Sequence, residues 1–238
     1  MKGGVTNGLV LVPGLLCDRA LFAPQVAALS RYVRVHVAEP QGDTIAAMAE
    51  GVAKAVPFER FALLGLSMGG MVAMHMATSD PGDERVTRLA LLDTNHLADT
   101  DEKSRDRHAL VDEARERGLE PVVREHLKPA YLAPMRRHDP RLNDIVVAMA
   151  LRLGIETFAR QTEALVTRED MSARLERCAK PALVLCGAHD RPCPPARHDE
   201  MAALMPNARR VTVPGAGHLT TLEAPAAVNA ALLGWLFG

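Results

Sequence analysis

Six short stretches of this chain are apolar almost without a break: 8–12, 33–39, 61–66, 86–93, 182–187 and the more polar 209–213. A strand with one wet face alternates apolar and polar residues, whereas a near-continuous run suits a strand covered on both faces. Between these runs the apolar positions recur at helical spacing: 21, 22, 26 and 29, then 45, 48, 52 and 56. Two more helices are expected at 68–77, directly after the third run, and at 225–237, where Pro225 sits as a helix-starting proline. Strand and helix alternate, so the expected fold class is α/β: a mostly parallel central sheet flanked by helices.

The alternation stops between about residues 97 and 180. These 84 residues hold no convincing strand and carry 32 of the chain's 57 Asp, Glu, Lys and Arg residues, 16 of each sign. Ile145, Met149 and Leu153 recur at helical spacing, which predicts solvated helices with one buried stripe each. Pro121, Pro129, Pro134 and Pro140 divide the stretch into several short helices. The expected organisation is a core of residues 1–96 and 176–238 with a helical cap, 97–175, inserted over the sheet.

Composition narrows the partners. At 238 residues and 48% hydrophobic content, the chain suits one large domain, or a domain with an insertion, around a buried core. A formal net charge of −1 gives no electrostatic reason to expect nucleic acid or an anionic membrane surface. Aromatics are 3% of the chain, too few for base-stacking platforms. The four cysteines have no zinc-knuckle spacing and are too few for a disulfide scaffold, as in a reduced, cytoplasmic protein. Lys2 ahead of the apolar residues 9–16 and Cys17 has the outline of a lipoprotein signal. Pro13 and Gly14 interrupt that run, and leucines rather than small residues precede the cysteine, so cytoplasmic localisation is expected. The oligomeric state is not legible.

The chemistry concentrates in Gly65-Leu66-Ser67-Met68-Gly69, set between the third run and the helix after it. A sharp strand-to-helix turn lifts a serine hydroxyl clear of the sheet, and only very small residues fit two places before and two after it. The helix N-terminus then faces the serine with free N–H groups. A nucleophilic serine needs a base. Of nine histidines, His218 alone lies in a glycine-rich loop between the last strand and the last helix, which brings it to the sheet edge of Ser67. His108, His126, His138 and His198 sit in charged helical surroundings and are expected to face solvent. His36 lies within a strand, His75 lies two turns along the elbow helix, and His189 should point away from the site. Two aspartates end neighbouring strands, Asp93 and Asp190. Asp190 is the expected acid, because Pro192, Pro194 and Pro195 stiffen its loop, whereas Thr94-Asn95 after Asp93 reads as a strand-ending turn.

Three motifs thus follow in order: Gly-x-Ser-x-Gly, Gly-x-x-Asp-x-x-x-Pro (Gly187, Asp190, Pro194) and Gly-x-Gly-His (Gly215, Gly217, His218). Along nearly its whole length the chain resembles α/β-hydrolases, and Gly-Leu-Ser-Met-Gly-Gly resembles the enol-lactonase and small-esterase branch. The resemblance implies a Ser67-His218-Asp190 triad and an oxyanion hole made by the backbone N–H groups of Leu15 and Met68. Pro13-Gly14 stands where many members carry His-Gly, a tolerable change because the donor is backbone, and the family's Gly-His-Gly turn after the second strand is absent. The implied activity is serine hydrolysis of a carboxylic ester or lactone, through an acyl-enzyme, on a small-molecule ester-like substrate, with no cofactor and no metal. Carbon–carbon bond hydrolysis, perhydrolysis or a lyase reaction on the same triad competes with it, as does a non-catalytic binding protein on this fold. Cys17 and His96, near strand ends, are candidate pocket-lining residues, and apolar cap residues such as Met149 and Phe158 are expected to influence substrate choice.

Overall fold

The computed structural model describes residues 7–79 and 82–238, so Lys2 lies outside the described residues. The six runs form β1 (Gly8–Val12), β2 (Val35–Val37), β3 (Phe61–Leu66), β4 (Val86–Leu92), β5 (Ala182–Gly187) and β6 (Ala208–Val213). They build one parallel sheet in the order β2-β1-β3-β4-β5-β6. β1, β3 and β5 are buried at every position, as unbroken apolar runs require, while the edge strands β2 and β6 are largely half-exposed. β2 is shorter than the 33–39 expected from apolarity. The Val33 N–H is held by the Leu29 carbonyl at the end of the preceding helix, and only residues 35–37 pair with β1.

The helices expected from spacing flank the sheet. Residues 21–29 divide at Pro24 into a 3-10 turn (Arg19–Phe22), capped by Asp18, and α1 (Ala23–Leu29). α2 (Ile45–Ala55) and α3 (Met68–Thr78) follow, and α3 is buried at nine of its positions. The charged stretch between β4 and β5 contains no strand among the described residues. Its helices are α4 (Asp101–Arg117), α5 (Leu119–Val122), α6 (Lys128–Tyr131), α7 (Pro140–Val166) and α8 (Ser172–Glu176). α7 is not one straight rod: Gly154 takes φ +78 inside it and breaks the helical path. α9 (Pro195–Leu204), α10 (Thr220–Glu223) and α11 (Pro225–Phe237) complete the chain. No helix among the described residues is long and apolar enough to cross a membrane. All four cysteines are buried and unpaired.

Candidate active site

Ser67 caps α3 with φ +56 and ψ −121, a conformation that a residue with a side chain adopts only under constraint. The constraint is visible on both sides. A Cβ on Gly65 would overlap the Gly69 carbonyl, and one on Gly69 would overlap the Val12 carbonyl, so the close crossing of strand, turn and helix requires glycine at both positions. The Ser67 N–H donates to the Leu92 carbonyl at 2.9 Å, and the Thr94 hydroxyl donates to the Ser67 carbonyl at 2.7 Å. The β4 end therefore fixes the elbow from below.

The loop after β6 carries His218 to this serine. Its Nε2 lies 2.9 Å from Ser67 Oγ, and its Nδ1 lies 2.8 Å from Asp190 Oδ1. That aspartate oxygen also accepts the Cys193 N–H at 2.9 Å, so the proline-bordered loop closes on its own carboxylate. The His218 N–H donates to the Tyr131 carbonyl at 2.7 Å, and the Tyr131 ring packs 5.3 Å from the imidazole. Glu223 fixes the same loop by accepting the N–H groups of Gly217 and Leu219, and ties it to the 97–180 stretch by accepting the Ala133 N–H. Burial raises the Glu223 pKa, against the pull of those donors.

Asp93 does not reach His218. Its two oxygens accept the Gly187 N–H at 3.0 Å and the Thr220 hydroxyl and N–H at 2.5 and 3.2 Å. Full burial and the neighbouring Asp190 charge raise its pKa well above the usual carboxylate range. It joins β4, β5 and α10 behind the site.

The two expected oxyanion donors are free. Neither the Leu15 N–H nor the Met68 N–H has a protein acceptor among the described residues. Leu15 lines the Ser67 cleft, and the preceding Gly14 packs so close that a Cβ there would lie 3.0 Å from Ser67 Cβ.

Ser67 and His218 open onto a cleft of about 400 Å³. Leu110, Tyr131 and Leu165 of the 97–180 insertion line it. Met149 and Phe158 do not: both are buried within the insertion and face no part of the cleft. A helical stripe identifies a buried face, but not whether that face meets another helix or a substrate. The two other pocket candidates also lie elsewhere. His96 lines a neighbouring cavity of about 260 Å³ that shares Met71, Asn95 and Arg168 with the cleft. Cys17 is buried and lines neither cavity, and burial pushes its thiol up to about 12.

The cleft wall is charged unevenly. The Asp99 carboxylate, shielded from solvent, is held below the usual carboxylate range by Arg168 at 2.7 Å and Arg107 at 2.6 Å, in spite of the desolvation that opposes it. Lys103 and Arg191 have no ion-pair partner among the described residues, against one such acid on the wall, Asp106. Among the described residues one group of metal-ligand types converges, Glu113, Glu125 and His126. Arg117 already pairs with both glutamates, and none of the three lines the cleft.

His198, expected in solvent, is fully buried. Its Nε2 accepts the Thr94 N–H at 2.9 Å and its Nδ1 donates to the Pro194 carbonyl at 3.3 Å, so it ties the Asp190 loop to the residue that holds the Ser67 carbonyl. Burial lowers its pKa to about 4. Its charged sequence neighbours conceal a stripe at 198, 201 and 205, all buried. Reading His198 as a member of that stripe would have found it.

Fold and site together define an α/β-hydrolase. The family described as alpha/beta hydrolase fold matches residues 38–225, and the chain belongs to it. An esterase from Thermogutta terrifontis superposes with a TM-score of 0.87 at 28% identity, covering 98% of this chain and 90% of that one. The enol-lactonase from Burkholderia xenovorans LB400 gives 0.87 at 25% identity, covering 100% and 94%. RutD of Shigella flexneri serotype 5b (strain 8401), named as a candidate carbamate hydrolase, is 27% identical over 248 aligned positions, covering 96% of this chain and 90% of its own.

Proposed function

We propose that this protein is a serine hydrolase that cleaves a carboxylic ester or lactone by acyl transfer. The observation that carries the reading is the hydrogen-bonded line from Ser67 Oγ through both nitrogens of His218 to Asp190 Oδ1, at 2.9 and 2.8 Å, opening on the cleft. Ser67 Oγ attacks the carbonyl carbon while His218 Nε2 takes its proton. The oxyanion is held by the N–H groups of Leu15 and Met68, where one such donor is worth about 3 kcal/mol in a well-studied protease. The carbon–oxygen bond to the leaving alcohol breaks as His218 returns the proton to that oxygen. Water, deprotonated by His218, then attacks the acyl-enzyme, releasing the acid and restoring Ser67. Asp190 keeps the imidazole in the tautomer with Nδ1 protonated and stabilises the imidazolium. The sequence uses no metal or organic cofactor.

In this reading residues 97–175 act as a cap, because Leu110, Tyr131 and Leu165 meet the cleft and Tyr131 packs on the base. Unpaired Lys103 and Arg191 favour an ester or lactone that carries an acid group away from the reacting carbonyl. The names of the esterase and enol-lactonase neighbours support carbon–oxygen cleavage. A carbamate, the group in the RutD name, presents the same kind of carbonyl to Ser67, with its alcohol or its amine as the group displaced.

The test is a fluorophosphonate probe with a panel of p-nitrophenyl esters. The protein should be labelled at Ser67 and turn over esters, and a folded Ser67→Ala variant should do neither. Equal labelling of that variant overturns the assignment.

A further inference from the structure

We infer that Gln161, carried by α7 of the insertion, is a positioning residue that holds the oxyanion loop in its working shape through a buried hydrogen bond. The inference rests on the acyl-transfer reading above. The loop is a tight turn over residues 14–17, closed by the Cys17 N–H donating to the Gly14 carbonyl at 3.1 Å. Its third residue, Leu16, takes φ +53. Turns with a positive φ at that position select glycine or asparagine, because a side chain there meets its own backbone. Left to itself, a leucine would relax to negative φ, and the peptide between Leu15 and Leu16 would turn over.

Gln161 opposes that relaxation. Its Oε1 accepts the Leu16 N–H at 2.8 Å, and the amide is buried. It stands in the α7 stripe of Phe158, Gln161, Thr162 and Leu165, all buried. If the peptide turned over, the Leu16 N–H would leave and a buried carbonyl oxygen would lose its partner, which is costly in a low-dielectric site. A second tie reaches the same loop from the same helix. Asp18, one residue past the turn, caps the Ala20 N–H and pairs with Arg152 at 2.6 Å. Arg152 and Gln161 lie on opposite sides of the Gly154 break, so the bent helix meets the loop at two points. The strained turn sits one peptide away from the Leu15 N–H. The insertion thus contributes to catalysis through a backbone conformation as well as through the cleft wall.

The experiment measures kcat, KM and the affinity of an aryl boronate, a tetrahedral-intermediate mimic, on the Ser67-competent protein. Gln161→Met fills a similar volume without the acceptor. It should lower kcat and boronate affinity together by about 10- to 100-fold, up to the loss seen when one oxyanion donor is removed, with KM nearly unchanged. Gln161→Glu keeps an acceptor at the same place and should lose much less. Leu16→Gly placed in the Gln161→Met protein removes the strain at positive φ and should recover part of the loss, which a purely structural role would not do. Should Gln161→Met fail to fold, Gln161→Leu with the same glycine rescue replaces it. A folded acceptor-free variant with wild-type kcat overturns the inference, and so does a loss confined to KM or stability with no rescue by glycine. Absence of Ser67 labelling in the wild-type protein would instead overturn the acyl-transfer reading itself.

Discussion

The loops that leave β4 and β5 each put a buried aspartate at the same edge of the sheet, one strand apart. Asp190 turns toward the cleft and presents Oδ1 to an imidazole and a backbone N–H. Asp93 turns into the protein and gives both oxygens to Gly187 and Thr220. Distance along the sheet does not separate them, and neither does burial. What separates them is whether the donor they meet is a titratable ring or a fixed backbone and hydroxyl group. A carboxylate facing a ring can stabilise a charge that comes and goes during a reaction, while one fully buried beside another acid is best kept neutral, against the pull of the donors around it. The same division holds for the histidines: His218 touches the serine, and His198 lies under the two loops as a neutral strut.

The largest expected effect tests the first half of that contrast. Asp190→Asn should lower kcat by about 10⁴-fold, by leaving His218 in the wrong tautomer. Asp93→Asn, assayed on folded protein, should stay within about tenfold of wild type, because Asp93 touches no reacting group. Reversed losses would make Asp93 the acid partner.

Next comes the acid limit of stability. The folded pKa of His198, about 4, lies below the ordinary 6.5, so its contribution is complete above 6.5 and is lost as pH falls toward 4. The loss should reach on the order of 3 kcal/mol in urea unfolding. His198→Met should flatten that decline, and an unchanged slope would remove His198 from the account. Asp93 has the opposite sign: its raised pKa means that stability is complete in acid and is lost as pH rises through the folded value. Asp93→Asn also sets an amide N–H against the Thr220 backbone N–H, and should cost about 1–3 kcal/mol at neutral pH.

The smallest effect concerns Arg191, which the Asp190 loop carries into the cleft wall. Arg191→Gln should raise KM for a carboxylated ester about two- to fivefold at low salt, leave a neutral ester unaffected, and lose its effect in high salt. Equal changes for both esters would mean that the loop side chain acts through packing.

These contrasts were legible in the sequence to different depths. Strand positions came through within a few residues, because β1, β3 and β5 are covered on both faces and admit little else. Ser67, His218 and Asp190 stood out because each lies within two residues of a glycine or proline that shapes its loop. What stayed hidden were polar residues occupying apolar stripes. His198 at 198, 201, 205 and Gln161 at 158, 161, 162, 165 obey helical spacing perfectly well, but a polar side chain surrounded by charge reads as surface. Their partners, the N–H groups of Thr94 and Leu16, are backbone atoms of distant loops, which a linear pattern does not announce. The cleft wall was hidden for a related reason. Which buried face of an insertion meets solvent-filled space depends on how the helices dock, as Met149 and Leu165 show by going opposite ways.

The insertion leaves the sheet after Leu92 and returns at Ala182, on strands that are hydrogen-bonded neighbours. The strands are parallel, so the excursion must also carry the chain from the edge at Leu92 back to the opposite edge at Ala182; beyond the length that crossover needs, extra residues add only a slowly growing loop-closure entropy. The β4–β5 pairing is backbone to backbone, so it places no demand on the side chains of the helices that bridge it. Such a junction works as a socket: the helices that line the cleft can vary in length and sequence while the backbone pairing of β4 with β5 stays the same. The polar ties to be rebuilt with each such change include the acceptor for the Leu16 N–H, the cation that pairs with Asp18, the Ala133 N–H held by Glu223 and the carbonyl that receives the His218 N–H.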